Sequence, residues 1–397
     1  MRVLHLVKTV DGARWAIDQV RELVALGMEV HVVLPVFAGR FMPSWRQTGA
    51  VLHALPMDLP IQSLWRLPEM GHQIRCLVDQ VKPDIIHSHF FGTTVMLRMA
   101  LGRDHRIPRI FQVPGPLHLE HALFRRWELW TAGPADRWIA SSRYIESLYR
   151  ACGVAQDRVF LSYYGNQRPS PQNQESQLRQ RLGISPHQWV VGNINHIYPP
   201  KWYLGQTRGL KRHEDVIDAL ALVCQSRDDV TGVLVGGQWG EGDRYQKSLA
   251  RRAANAGAGR ILMPGHLASE EVASAWQDFD LAVHVPSSEN CGGVVEPLQA
   301  GVPVIAARVG GLPEVVFEGV TGQLISPGHV SELAAAISKA LNHIEVMREN
   351  AVRGAALVST MFDAARTAQE VAGVYGHVSS GAPRPQPFDS LAFLAGG

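Results

Sequence analysis

Residues 283–314, VHVPSSENCGGVVEPLQAGVPVIAARVGGLPE, hold the densest set of side chains in this sequence that could do chemistry. Glu289 and Glu296 bracket the pair Gly292-Gly293. Paired glycines let a ligand approach the backbone, and a helix start offers unpaired N–H groups and a positive dipole end, which suits a diphosphate. A carboxylate at Glu296, in the first helical turn, could accept from vicinal ribose hydroxyls. Glu289, with Asn290 and Cys291 on the loop before it, is placed to reach beyond the phosphates. The alternative is an ordinary strand-to-helix turn with surface acids. A second set lies in 197–214, IYPPKWYLGQTRGLKRHE, where Arg208, Lys211 and Arg212 are either a phosphate grip or a solvated charge run. Histidines gather in His87-Ser88-His89 and His118-Leu119-Glu120-His121. They are metal-type ligands, but their spacing matches no recognised site, so no metal is expected. Asp278-Phe279-Asp280 has the look of a D-x-D metal motif, yet it runs into an apolar segment and reads as a helix end and strand start.

The elements that must position these groups alternate. Strand Arg2 to Leu6 leads through a loop ending at Gly12 to a helix from about Ala13 to Leu26, then to strand Val30 to Leu34. Short apolar strands follow at 84–87, 109–113, 138–140 and 159–161. After a polar, proline-bearing stretch they recur at 189–194, 232–235, 260–263, 281–285 and 304–307. Strands alternating with helices predict parallel sheets covered on both faces. The expected class is therefore α/β, with two successive Rossmann-like domains and a ligand at the carboxyl ends of the strands. The expected boundaries are 1–167, a linker at 168–187, a second domain at 188–360, and a disordered tail at 379–397.

The stretch 283–314 resembles the donor-binding signature of retaining glycosyltransferases of family 4. The match rests on Gly301-Val302-Pro303-Val304 and Gly310-Gly311-Leu312-Pro313-Glu314, with a glutamate pair upstream. In that family seven residues separate the two acids; here Glu289 and Glu296 have six between them. The resemblance implies the GT-B fold, two Rossmann-like domains facing each other across a cleft, with a last helix (about 361–377) returning to the first domain. It implies transfer of a hexose from a nucleoside-diphosphate sugar to an acceptor hydroxyl with retention, with no cofactor and no metal. By the same likeness Gly12 faces the donor diphosphate and Lys211 grips it. Arg208 stands in for a strand-end arginine that is missing from Gly192-Asn193-Ile194-Asn195-His196. Gly265-His266-Leu267 contacts the base through its backbone, Glu296 the ribose and Glu289 the sugar. His118 is the match for a histidine near the transferred sugar, His121 the fallback, while His87 and His89 line the acceptor side or are packed. A sugar-nucleotide epimerase and a silent donor-binding subunit are the alternatives.

Bulk properties narrow the partners. With 46% hydrophobic and 19% charged residues the chain is of globular type, and 38 basic against 36 acidic residues argue against nucleic acid. Four scattered cysteines predict neither disulfides nor a zinc ribbon and fit a reducing cytoplasm. The N-terminal MRVLHLVKTV reads as a strand, not a signal peptide. Leu123 to Trp130, LFRRWELW, interleaves aromatics with arginines. It is read as an amphipathic helix packed on its own domain, or as a patch for peripheral association with the inner membrane surface.

Overall fold

Two all-parallel sheets organise the chain. The computed structural model describes residues 1–60, 63–166, 176–201 and 205–396. The first sheet holds β1 (Arg2–Leu6), β2 (Glu29–Leu34), β3 (Val51–Ala54), β4 (Ile85–His89), β5 (Arg109–Val113), β6 (Asp136–Ala140) and β7 (Val159–Leu161), in the order 3-2-1-4-5-6-7. The second holds β8 (Trp189–Ile194), β9 (Val230–Val235), β10 (Ile261–Gly265), β11 (Leu281–His284), β12 (Val304–Ala307) and β13 (Gln323–Ile325), in the order 10-9-8-11-12-13. Both orders reverse beside the first strand of the sheet, between β1 and β4 and between β8 and β11. Crossovers there leave on opposite faces, so the loops at the carboxyl edge part and leave room for a ligand.

The chain forms two units, Met1–Gln167 with Thr360–Asp389, and Arg168–Ser359 with Ser390–Gly397. In the first, side-chain alternation divides the strands between two cores. Val3, Val32, Ile85 and Ile110 pack with Val371, Val374 and Tyr375, whereas Leu4, Leu6, Val33 and Ile86 pack with Ile74, Val78 and Val95. Tyr375 and both valines come from the helix Ala364–Ser380, so a segment remote in sequence closes one face of the sheet. Burying each such aliphatic side chain stabilises the unit by roughly 1.5–3 kcal/mol. In the second unit Val191, Leu234, Val283 and Ile305 form one core with Val216, Leu220 and Ile337.

A sealed charge cluster also sits in the first unit. Arg98 pairs with Glu128 (2.6 Å) and Asp136 (2.9 Å), and Arg109 with Asp136 (2.6 Å), all four side chains almost fully buried. Trp138 donates to Glu128, so each carboxylate is held by more than one donor.

Several expectations change. Strands β3 and β13 carry no signal beyond three or four residues and escaped the sequence reading. The returning helix begins at Ala364, capped by the Asp363 side chain, and runs to Ser380. The tail from Ser379, expected to lack order, carries on that helix and then forms a second one at Ser390–Gly396. Arg384 holds the intervening segment through the Val159 carbonyl, its guanidinium over the Phe160 ring. Of the expected linker, residues 168–175 lie outside the described residues, as do 202–204 of the loop before Lys211.

Candidate active site

At the carboxyl edge of the second sheet the reversal point is charged. The loop after β11 brings Glu289 back toward the sheet, and the loop after β8 delivers Lys211, whose ammonium hydrogen-bonds the Glu289 carboxylate. His284, the last residue of β11, meets the same carboxylate through Nε2 at 3.0 Å. The Asn195 amide donates toward His284 Nδ1 (3.4 Å), which leaves Nε2 as the protonated nitrogen and donor to Glu289. Burial by itself would push the Glu289 carboxyl up; Lys211 and His284 overcome it and hold the group well below the usual carboxylate range. The carboxylate is therefore ionised and fixed, beside a lysine whose ammonium has three donors to distribute.

Two glycines make this packing feasible. A Cβ at Gly293 would come within 2.0 Å of His284 Nε2. Gly310, at φ +57°, approaches the Glu289 carbonyl so closely that a Cβ would lie 1.8 Å from it. The Gly-Gly turn of 310–314 thus supports the loop bearing Glu289. Downstream, Gly292–Val294 form a 3-10 turn, followed by the helix Val295–Gln299 with exposed Glu296 in its first turn. The helix expected to open at the glycines starts three residues later, because the 3-10 turn takes up those positions.

Other expected residues fall differently. Asn290 donates its backbone N–H to Glu289 (3.1 Å) and stays beside it. Cys291 is buried, with its thiol on the Gly311 carbonyl, so its side chain supports the turn and offers nothing to a donor. Arg208, expected to replace the missing strand-end cation, is ion-paired with Asp215, with Asp218 at 3.8 Å. Its charge is already largely countered. Gly265 ends β10 with His266 exposed and Leu267 buried after it, while the Gly265 carbonyl accepts from Gly236. Asp278 and Asp280 both bind Arg179, so the D-x-D is structural.

In the first unit Gly12 lies half-buried in the loop after β1, and Ala13 takes the left-handed conformation that opens the helix Arg14–Ala25. His118 sits after β5 in the short helix Leu117–Glu120, 8% exposed, its Nε2 at 3.3 Å from the Tyr149 hydroxyl. Burial lowers its pKa to about 4, so the ring is neutral at neutral pH. His87 and His89, expected on the acceptor side or packed, are fully buried beside His5. Sequence reasoning missed His5, His284 and Asn195. Each stands at or beside the end of a strand flanking a reversal point, which is the signal that could have found them.

Residues 12–165 match the model of Glycosyltransferase Family 4, and residues 202–355 that of glycosyl transferases group 1. A D-inositol 3-phosphate glycosyltransferase of Mycobacterium marinum is 35% identical over 186 residues, 46% of this chain and only 35% of that protein. Its counterpart from Thermobispora bispora is 26% identical over 393 residues, 89% of this chain and 88% of that one. Among solved structures, HepE of Anabaena in complex with UDP and glucose superposes with a TM-score of 0.76 at 23% identity, covering 94% of this chain and 99% of that one. Sucrose-phosphate synthase of Thermosynechococcus elongatus gives 0.74 at 18% identity, covering 96% and 100%. The two parallel-sheet units and these likenesses define a GT-B glycosyltransferase. The chain is a glycosyltransferase whose first unit matches the Glycosyltransferase Family 4 model and whose second matches that of group 1.

Proposed function

We propose that the chain transfers a hexose from a nucleoside-diphosphate sugar, a uridine diphosphate sugar foremost, to an acceptor hydroxyl with retention of configuration. The observation that carries this reading is the Lys211–Glu289 pair at the carboxyl edge of β8 and β11, with the glycine turn and exposed Glu296 just beyond it. In the reaction the bond from the anomeric carbon to the departing phosphate breaks. The bond to the acceptor oxygen forms on the same face, and the acceptor proton passes to the leaving phosphate. Lys211 counters the charge that the diphosphate gains, without a divalent ion. Glu289 holds sugar hydroxyls, Glu296 the ribose, and neutral His118 the sugar carrying developing positive charge. The uridine preference draws support from the Anabaena fold relative, whose structures contain UDP and UDP-glucose. The acceptor stays at the level of a hydroxyl. Exposed Leu123 and Trp130 on the helix Ala122–Thr131, with Arg126 on the same face, support a peripheral approach to a membrane-borne acceptor.

Thermal unfolding with UDP, GDP, ADP and dTDP, on the wild type and Glu296→Ala, tests the donor site. A nucleotide that binds only the native state adds about 2.7 kcal/mol at a hundredfold excess over its dissociation constant. UDP should stabilise the wild type and lose most of that effect in Glu296→Ala. No response to any of the four would sink the reading.

A further inference from the structure

The first unit places a three-histidine set at its own reversal point. His5 on β1 and His87 on β4 are register partners, and His89 follows two residues later, so all three rings leave the sheet on one face. All three are completely buried. One ring nitrogen from each lies within 4.8 Å of the other two, and His5 Nδ1 is 3.2 Å from His89 Nε2. Two nitrogens bound to one zinc-sized ion at 2.0–2.1 Å, in tetrahedral geometry, stand about 3.3 Å apart.

The remaining nitrogens face tyrosine hydroxyls. Tyr375 lies 2.5 Å from His87 Nδ1 and 3.1 Å from His5 Nε2, and Tyr164 lies 3.1 Å from His89 Nδ1. Tyr164 already donates its proton to the Gln112 carbonyl (2.9 Å), so it must accept from His89 Nδ1–H. That assignment leaves His89 Nε2 as a bare lone pair aimed at His5. Among the described residues His87 Nε2 is buried without a hydrogen bond of good geometry, with the equally unpaired Gln112 amide nitrogen as its neighbour. If the Tyr375 oxygen accepts from both His5 Nε2–H and His87 Nδ1–H, then His5 Nδ1, His87 Nε2 and His89 Nε2 all present lone pairs. Metal-bound histidines are commonly oriented in this way, by an oxygen on the far ring nitrogen.

We propose that His5, His87 and His89 bind one divalent transition-metal ion of the zinc class, oriented by Tyr375 and Tyr164. Burial keeps the rings neutral, the form in which imidazole ligates. The H-x-H of β4 has no ligand spacing of its own because its third partner lies 84 residues upstream. Bound there, the ion ties β1 and β4 to the returning helix through Tyr375.

The test uses the full chain carrying Cys76→Ser, which removes the surface pair of Cys76 and His72 (3.5 Å) as a competing site. The protein is refolded from urea with chelator, with zinc, or with cobalt. Elemental analysis should find one zinc per chain after gel filtration. Cobalt should give a visible absorption band, and either ion should raise the unfolding temperature. His87→Gln should lose the ion. Tyr375→Phe should weaken uptake about 10–100-fold. The proposal is overturned if the folded protein takes up neither ion at micromolar concentration, in which case His87 Nε2 belongs to the neighbouring Gln112 amide. It is equally overturned if His87→Gln, folded by circular dichroism, keeps the full equivalent. Should His87→Gln not fold, the cobalt band of the Cys76→Ser protein and its change in Tyr375→Phe decide.

Discussion

The two sheets share a strand order around their reversal points and fill those points in opposite ways. Between β1 and β4 lie three sealed imidazoles and a tyrosine from the returning helix, without a formal charge until an ion binds. At the carboxyl edge of β8 and β11 a lysine and a glutamate form an ion pair, steadied by His284. A buried charge costs several kcal/mol unless paired, whereas a neutral ring needs only hydrogen bonds. Hence the charged edge keeps its groups 13–14% exposed, within reach of a ligand, and the neutral edge closes completely. Topology offers the place for a site; the residues that end each strand decide whether it stays open.

The largest test of this contrast is acid. His5, His87 and His89 all have folded pKa values below the ordinary 6.5, owing first to burial, and that of His5 falls to about 3. The unfolded chain then binds protons that the native one refuses. Stability from these rings is full above pH 6.5 and drains as pH falls through that value, by about 1.4 kcal/mol per pH unit for each ring. Urea unfolding of the metal-free protein between pH 7 and 5, with chelator present, should show the loss, with a shallower slope in His87→Gln. An unchanged slope would mean that the rings are not sealed. Next in size, Lys211→Ala should lower kcat by about 10²–10³-fold, the cost of removing one donor from a developing oxyanion. Burial first, and then Lys211, holds the His284 and His213 pKa values down, so the variant's acid slope should be shallower than that of the wild type. A lysine variant with near-normal turnover would place the charged edge outside the chemistry. Smallest, Gly310→Ala should cost about 1–3 kcal/mol, since its Cβ would collide with the Glu289 carbonyl. Chemical unfolding reads the stability loss, and a rise in KM for the donor reads displacement of Glu289.

Much of the fold was legible because buried parallel strands announce themselves as apolar runs. Arg2–Leu6, Arg109–Val113, Trp189–Ile194 and Val304–Ala307 fall where the sequence puts them. Val51–Ala54 did not show because it is a half-exposed edge strand that includes His53 and has little apolar run to display. Lys211 and Glu289 are each named by the sequence as candidates, but their pairing across 78 residues was not readable there. For Arg208 the sequence shows a cation without showing the Asp215 paired with it. For Cys291 the sequence does not show that the side chain turns inward between half-buried Asn290 and exposed Gly292. His5 was invisible as a partner of His87 until strand register set them side by side.

One contact bears on the order of events during synthesis. Tyr375 binds His5 across 370 residues, whereas the core of the second unit draws on residues between 189 and 347. Domains ordinarily fold in the order in which they are made. Here the later unit has its whole core in hand while the earlier one still waits for its covering helix. The first sheet leaves the ribosome with one apolar face covered only in part, by the helix Arg14–Ala25, and stays so until residues 364–380 arrive. The oldest part of the chain is the last to be finished.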